Sequence, residues 1–265
     1  MKLAAIADIH GNTWALRAAL DDIRSRGIQT VVNLGDSFYG SLDPAGTAEL
    51  LITPRILSIS GNQDRIIVDP PAGVADTADH RHALRHLRRE QLDWLRSLPP
   101  AFTFGDDVLL CHGTPASDET YLLETVTPQG ARLADSNEIA GRLGAATASL
   151  ILCGHSHVPR VVQVPDGRLV VNPGSVGLPA FDDDLPYPHK MEAGSPHARY
   201  AVVAGSRDGW TVGLIAVGYD WHAAADRARR NGRPDRARWI ETGRVLEGDQ
   251  LLAISHQKPL DQADS

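Results

Sequence analysis

Five short, mostly apolar runs, each stopped by a residue that can bind a metal, constrain this chain more than anything else in it. Leu3–Ala7 stops at Asp8, with His10 two residues on, and Thr30–Leu34 stops at Gly35-Asp36. Arg55–Ser60 gives way to Gly61-Asn62-Gln63-Asp64, and Val108–Cys111 to His112-Gly113. Ser149–Cys153 runs into Gly154-His155-Ser156-His157. Runs this short and continuous suit strands buried on both faces. In open α/β sheets, the edge where strands finish forms the crevice that holds ligands. The pattern therefore predicts an α/β fold that carries these polar side chains to one rim.

The intervening sequence supports this. Asn12 or Thr13 can cap a helix carrying Trp14, Leu16, Ala19, Leu20 and Ile23, which Gly27 stops. Asp43-Pro44 reads as a cap followed by proline at the first helical position, opening a helix to about Leu51. Strand, helix, strand, helix, strand predicts a right-handed parallel start. Residues 66–76 read as loop and Ala78–Ser97 as one long amphipathic helix, whose arginine-bearing face reads as solvated. Short helices are expected around Glu119–Thr125 and Ser136–Leu143, and hairpins around Gly105-Asp106, Pro165-Asp166-Gly167 and Asp208-Gly209. Residues 178–197 lack periodicity and read as a functional loop. Asp220–Arg230 and Asp235–Val245 read as polar helices. The expectation is one domain with two sheets over residues 1–245, then a tail over 246–265.

Composition excludes several classes. At 265 residues and 42% hydrophobic, the chain can bury a substantial core. A net charge of −7 argues against a nucleic-acid partner, which calls for a basic excess. No apolar stretch reaches the ~18 residues of a membrane span. Met1–Asp8 is too short and too soon acidic for a signal peptide, and Cys111 and Cys153 do not form a disulfide framework. A cytoplasmic protein is expected. Oligomeric state is not legible.

Taken singly, an Asp after a strand is usually a turn or cap residue, and a lone His a hydrogen-bonded one. Seven such residues after five strands call for a joint explanation. Two divalent ions ~3.5–4 Å apart need a shared ligand, and a carboxylate has two oxygens to give. Imidazole suits Mn, Fe, Zn, Ni or Co better than Mg or Ca. A water between two such ions loses a proton near neutral pH and becomes a nucleophile.

Asp8-Ile-His10, Gly35-Asp36, Gly61-Asn62-Gln63-Asp64, His112-Gly113 and Gly154-His155-Ser156-His157 resemble, in order, the five signatures of the calcineurin-like metallophosphoesterases. The smaller YfcE-like bacterial phosphodiesterase branch is the most similar, including the Asn172-Pro-Gly-Ser-Val-Gly177 turn. The resemblance implies a four-layer α/β/β/α sandwich with mixed sheets. It also implies two divalent transition-metal ions, with Mn first and Fe, Zn, Ni or Co as alternatives. One would be held by Asp8, His10, Asp36 and His157, the other by Asp36, Asn62, His112 and His155, with Asp36 bridging. Asp36, Asn62 and His112 are the expected catalytic residues.

One position departs from the family pattern. Where many members place a histidine that protonates the leaving oxygen, this chain has Gln63. Glutamine donates a hydrogen bond but delivers no proton, and losing a general acid costs ~10²–10⁴ in rate. The expected bias is towards good leaving groups, with His80, His82, His86, His189 or His197 as candidate substitutes. Arg65 either clamps a phosphoryl oxygen or pairs with an acid. Ser175 either touches phosphate or packs against the metal-site strands. The function expected is hydrolysis of a small phosphodiester or nucleotide-type substrate by a bridging hydroxide. A phosphomonoesterase or dinucleoside polyphosphate hydrolase is the alternative enzyme, and a non-catalytic metal-binding scaffold the alternative of another class.

Overall fold

After its exposed first residue, Lys2, the first strand, β1 (Lys2–Ile6), is continuously apolar because both of its faces are covered. The computed structural model describes residues 1–245 apart from 74–76, 106 and 208. The expected tail 246–265 and the turn residues Asp106 and Asp208 thus lie outside the described residues. After β1 come α1 (Thr13–Ser25), β2 (Val31–Asn33), α2 (Pro44–Leu51), β3 (Ile56–Ser58) and α3 (Asn62–Val68). Then follow α4 (Ala78–His86), α5 (Arg89–Ser97), β4 (Ala101–Phe104), β5 (Val108–Cys111), β6 (Glu124–Thr127) and β7 (Gly130–Leu133). The middle of the chain forms α6 (Ser136–Leu143), β8 (Leu150–Leu152), β9 (Arg160–Gln163) and β10 (Leu169–Asn172). Last come β11 (Ala180–Asp183), β12 (His189–Glu192), β13 (Ala198–Ser206), β14 (Gly209–Val217), α7 (Trp221–Arg230) and α8 (Pro234–Thr242).

Two mixed five-stranded sheets result, in the orders β14-β13-β1-β2-β3 and β4-β5-β8-β10-β9. In the first, β1, β2 and β3 run parallel and β13 lies antiparallel to β1. In the second, β5, β8 and β10 run parallel, with β4 and β9 antiparallel at the edges. The period-2 alternation of side chains builds the layers. Leu3, Ala5 and Ala7 pack with Val32 and Leu34 against Leu110, Leu150, Leu152 and Val171 of the facing sheet. Ala4 and Ile6 point the other way, onto Leu16, Ala19 and Ile23 of α1. Ile151 and Val170 point out from the second sheet onto Ile139 and Leu143 of α6. This is the expected α/β/β/α sandwich.

Several local expectations are corrected. The helix expected over 78–97 is two, because Leu87 and Arg88 take extended backbone angles. The side chain of Gln91 accepts the Arg88 N–H at 2.8 Å and restarts the chain as α5. The loop expected from residue 66 begins only after Val68, since Asp64 accepts the Gly61 N–H at 3.2 Å and Ile67 is buried. The helix expected at Glu119–Thr125 is absent. Instead the β-branched stretch Thr125-Val126-Thr127 pairs with β7 across a turn at Pro128-Gln129. Residues 178–197 contain the β11–β12 hairpin rather than an unstructured loop.

Candidate metal centre

Each parallel strand that ends on the rim hands its chain to a turn carrying ligand atoms. Asp8 and His10 follow β1, Asp36 follows β2, Asn62 starts α3 after β3, His112 follows β5, and His155 and His157 follow β8. Asp8, His10, Asp36, His155 and His157 all have left-handed backbone angles, with φ between 51° and 70°. Such angles are uncommon outside glycine. They fold each turn back so that its side chain meets the others.

Two groups form. Asp8, His10 and His157 offer ligand atoms within 4.8 Å of one another, and so do Asp36, His112 and His155. In the first group, the Nε2 atoms of His10 and His157 are 3.1 Å apart, and His157 Nε2 is 3.4 Å from Asp8 Oδ1. In the second, His112 Nε2 lies 3.4 Å from Asp36 Oδ2 and 3.1 Å from Asn62 Oδ1. Asp36 Oδ2 also lies 4.0 Å from His10 Nε2, so this carboxylate stands between the groups. Its other oxygen accepts the Gln63 N–H at 2.9 Å, which fixes its orientation.

Backbone carbonyls aim the rings. Nδ1 of His10 faces Tyr39 O at 3.2 Å, Nδ1 of His112 faces Leu34 O at 2.8 Å, and Nδ1 of His157 faces Leu178 O at 2.6 Å. A ring nitrogen that donates to a carbonyl leaves the other nitrogen's lone pair for the site. Close approach is needed around these turns. A Cβ on Gly61 would collide with Asp36 Oδ1, and one on Gly177 would collide with the Ile9 carbonyl.

The electrostatics suit cations. Burial holds His10 down to about 3 and His155 down to about 4, assisted by His157 and His112 respectively. Both rings are therefore neutral ligands at pH 7. Burial pushes the carboxyls of Asp8 and Asp36 up, but the neighbouring His157 and His112 outweigh it and hold both below the usual range. Burial also lowers the His112 ring, yet Asp36 beside it reverses this and carries it up to about 10. Asp64, buried near Asp36, is pushed up to about 7. Two carboxylates, one amide oxygen and four imidazoles converging in a buried place form a donor set for divalent transition metals. The residues present fit such ions.

The remaining candidates are placed as follows. Arg65 is engaged by Asp118, at 2.9 and 3.1 Å, and by Glu119 at 2.8 Å. Ser175 Oγ is buried, donating to Asp8 O and accepting from Leu178 N, each at 2.7 Å. Gln63 lines the cleft over the site, and its Oε1 is buried with no hydrogen-bond partner. His80 Nε2 faces Ile67 O and His82 Nε2 faces Leu42 O, both at 3.3 Å. His86 Nδ1 faces the His82 carbonyl at 2.8 Å, within its own helix. His197 packs on Trp221. His189 reaches the site through Tyr121, whose OH lies 3.2 Å from His189 Nε2 and whose ring sits 4.6 Å from that of His155.

The cleft, of about 310 Å³, has walls that the sequence did not disclose. Phe181 of β11 meets His157 edge-on, Arg236 and Trp239 come from α8, and Arg233 is the N-cap residue of that helix. The only signal in the sequence was the arginine-rich stretch from Arg227 to Arg238, which a polar helix explains equally well.

Comparison with known proteins agrees with this geometry. The model of the calcineurin-like phosphoesterase superfamily domain matches residues 1–188, and the chain belongs to that family. An uncharacterized protein of Methanocaldococcus jannaschii is 27% identical over 248 residues, covering 88% of this chain and 94% of that one. A metallophosphoesterase from Sphaerobacter thermophilus superposes with a TM-score of 0.70 at 25% identity, over 92% of this chain and 99% of its own. A hypothetical protein from Pyrococcus horikoshii OT3 does so with a TM-score of 0.69 at 20% identity, over the same shares. Among the described residues, no helix is long and apolar enough to cross a membrane.

Proposed function

We propose that this chain is a dinuclear metal-dependent phosphoesterase acting on a small phosphodiester or nucleotide-type substrate. The observation that carries the reading is the position of Asp36, 3.4 Å from His112 Nε2 and 4.0 Å from His10 Nε2. Asp8, His10 and His157 would hold one ion, and Asn62, His112 and His155 the other, with Asp36 shared. Two divalent ions there, Mn first among Fe, Zn, Ni and Co, would supply Lewis-acid charge for phosphoryl oxygens and would acidify a water towards neutral pKa.

The chain's own residues do the rest. The Nδ1 contacts to Tyr39, Leu34 and Leu178 keep the rings aimed without reorganisation during turnover. Asn62 presents its amide at the cleft, and Gln63 can donate a hydrogen bond to a departing oxygen without giving up a proton. The leaving group therefore departs as an anion, which favours acidic alcohols and phosphates over alkoxides. The convergence of all seven candidate ligands on one cleft supports the enzyme reading over a scaffold, and activity of the metal-loaded protein separates the two.

The test is activity after metal reconstitution with Mn, Zn, Ni or Mg, comparing bis-p-nitrophenyl phosphate with p-nitrophenyl phosphate. The diester should be the better substrate, and Asp36→Asn should abolish turnover and remove about one metal per chain. Wild-type protein that binds two metals and hydrolyses neither ester nor any nucleotide would sink the enzyme reading.

A further inference from the structure

The same cleft is lined by the metal-site turns and by α8, beyond the residues 1–188 matched by the family model. Two arginines at the start of α8, its N-cap residue Arg233 and Arg236, differ in how they are engaged. Arg233 is closed off, with Nε and Nη2 on Asp235 at 3.0 and 2.6 Å and Nη1 on Asp79 of α4. Arg236 is 8% exposed and lines the cleft, with Nη2 held by Asp79 Oδ2 at 2.9 Å. Its Nε has no hydrogen-bond partner. A buried charged donor left without an acceptor is costly. Such a group calls for an explanation, a functional role or a bound ion among them, and here the rest of the same guanidinium lines the cleft. Arg236 also stands close enough to the site for its charge to act on His10, behind the larger effects of burial and His157.

Guanidinium recognises phosphate through paired N–H groups, and a carboxylate behind it fixes the plane of the fork. Asp79, 6% exposed, is that carboxylate. The attacked phosphoryl group would sit on the metal-ligating turns, and α8 forms a separate wall of the cleft. We propose that Arg236, positioned by Asp79, is a second anion subsite that selects substrates carrying another phosphate beyond the one attacked at the metals. This rests on the phosphoesterase reading above. It narrows the substrate class to compounds with at least two phosphate groups, such as nucleoside bisphosphates or dinucleoside polyphosphates.

The experiment uses two diesters with one leaving group: the p-nitrophenyl ester of thymidine 5′-phosphate, with and without a 3′-phosphate. The Mn-loaded wild-type protein should show a kcat/KM about tenfold or more higher for the doubly phosphorylated ester, mainly through KM. Arg236→Met should erase that ratio, Arg236→Lys should keep part of it, and Asp79→Asn should reduce it by releasing the fork. Metal content of two per chain and an unchanged unfolding midpoint establish that each variant is folded. Equal kcat/KM for both esters on wild-type protein overturns the proposal, whether or not the variants fold. An equal loss on both esters in Arg236→Met also overturns it, since Arg236 would then serve the attacked phosphate. If wild-type protein cleaves neither ester yet hydrolyses bis-p-nitrophenyl phosphate, p-nitrophenyl phosphate or a nucleotide, the subsite proposal is overturned; if it hydrolyses none of them, the phosphoesterase reading itself has failed.

Discussion

His10 and His157 point their Nε2 atoms at each other across 3.1 Å, while each ring's Nδ1 faces a backbone carbonyl. Donation through Nδ1 leaves two lone pairs aimed at one point. With both lone pairs there, a cation between or beside them makes the arrangement favourable, as a proton on one Nε2 would also do, and Asp8 Oδ1, 3.4 Å from His157, adds negative charge to the same place. The pair joins residues 147 positions apart, so the chain closes its two sheets through this contact.

The two histidines of the Gly154–His157 turn fall in different ligand groups, His155 with Asp36 and His112, His157 with Asp8 and His10. H155A and H157A should each retain about one metal per chain and lose a different one. Turnover should fall at least ~10²-fold in both, above the effect of removing an outer hydrogen-bond partner. Metal analysis with calorimetric titration checks this. Loss of both metals in both variants would mean that the two positions are not separable.

Metal loading should release a proton from His112. Beside Asp36 this ring is held up to about 10 in the metal-free protein, so it is protonated at pH 7, whereas a ligating imidazole must be neutral. Apparent affinity at this position should rise with pH towards about 10. In the metal-free protein the sign for stability is opposite. The His112–Asp36 contribution is fully present below the unfolded value of ~6.5 and is lost as pH rises through about 10. Calorimetry at pH 7 in buffers of different ionisation enthalpy should count close to one proton. H112Q should remove it, and a count of zero in the wild type refutes the assignment.

Gln63→His should restore proton delivery to the leaving oxygen. Gln63 lines the cleft, and its backbone N–H is tied to Asp36, so the new ring would start from a fixed position. The gain in kcat should be ~10²-fold for alkyl phosphoesters and smaller for p-nitrophenyl esters, flattening the dependence of rate on leaving-group pKa. An identical gain for both classes would exclude general-acid action.

Gly177→Ala should destabilise the fold by about 1–3 kcal/mol. Its Cβ would collide with the Ile9 carbonyl, in a turn whose own N–H donates to Asp8 O at 3.1 Å. The denaturant midpoint of the metal-free protein reads the cost, and an unchanged midpoint would contradict the packing described. Metal affinity should drop as well, because Ile9 lies between the ligands Asp8 and His10.

The candidate ligand set was legible because Asp8, Asp36, Asn62, His112 and the His155–His157 pair each follow a run whose shortness and apolar character point to a buried strand. What proved illegible depended on tertiary docking. Leu87 and Arg88 carry no helix breaker, so only the packing of Leu87 and the Gln91 cap divide 78–97 in two. Glu124 looks helical in isolation, but it is buried against Arg160 at 2.7 Å and starts a strand. Arg236 is one arginine among many in a polar helix, and its role depends on where α8 lies. Arg65 could be read two ways, and the acids that engage it, Asp118 and Glu119, are more than fifty positions away in the chain.

The left-handed backbone at Asp8, His10, Asp36, His155 and His157 has a consequence for how this protein can change. Each of these five residues holds a conformation costing of order 1–3 kcal/mol that glycine would adopt freely. Replacing one of these candidate ligands by glycine would relieve that backbone cost, but it would also remove a buried, hydrogen-bonded side chain, so the turn's geometry and its side chain are kept or lost together.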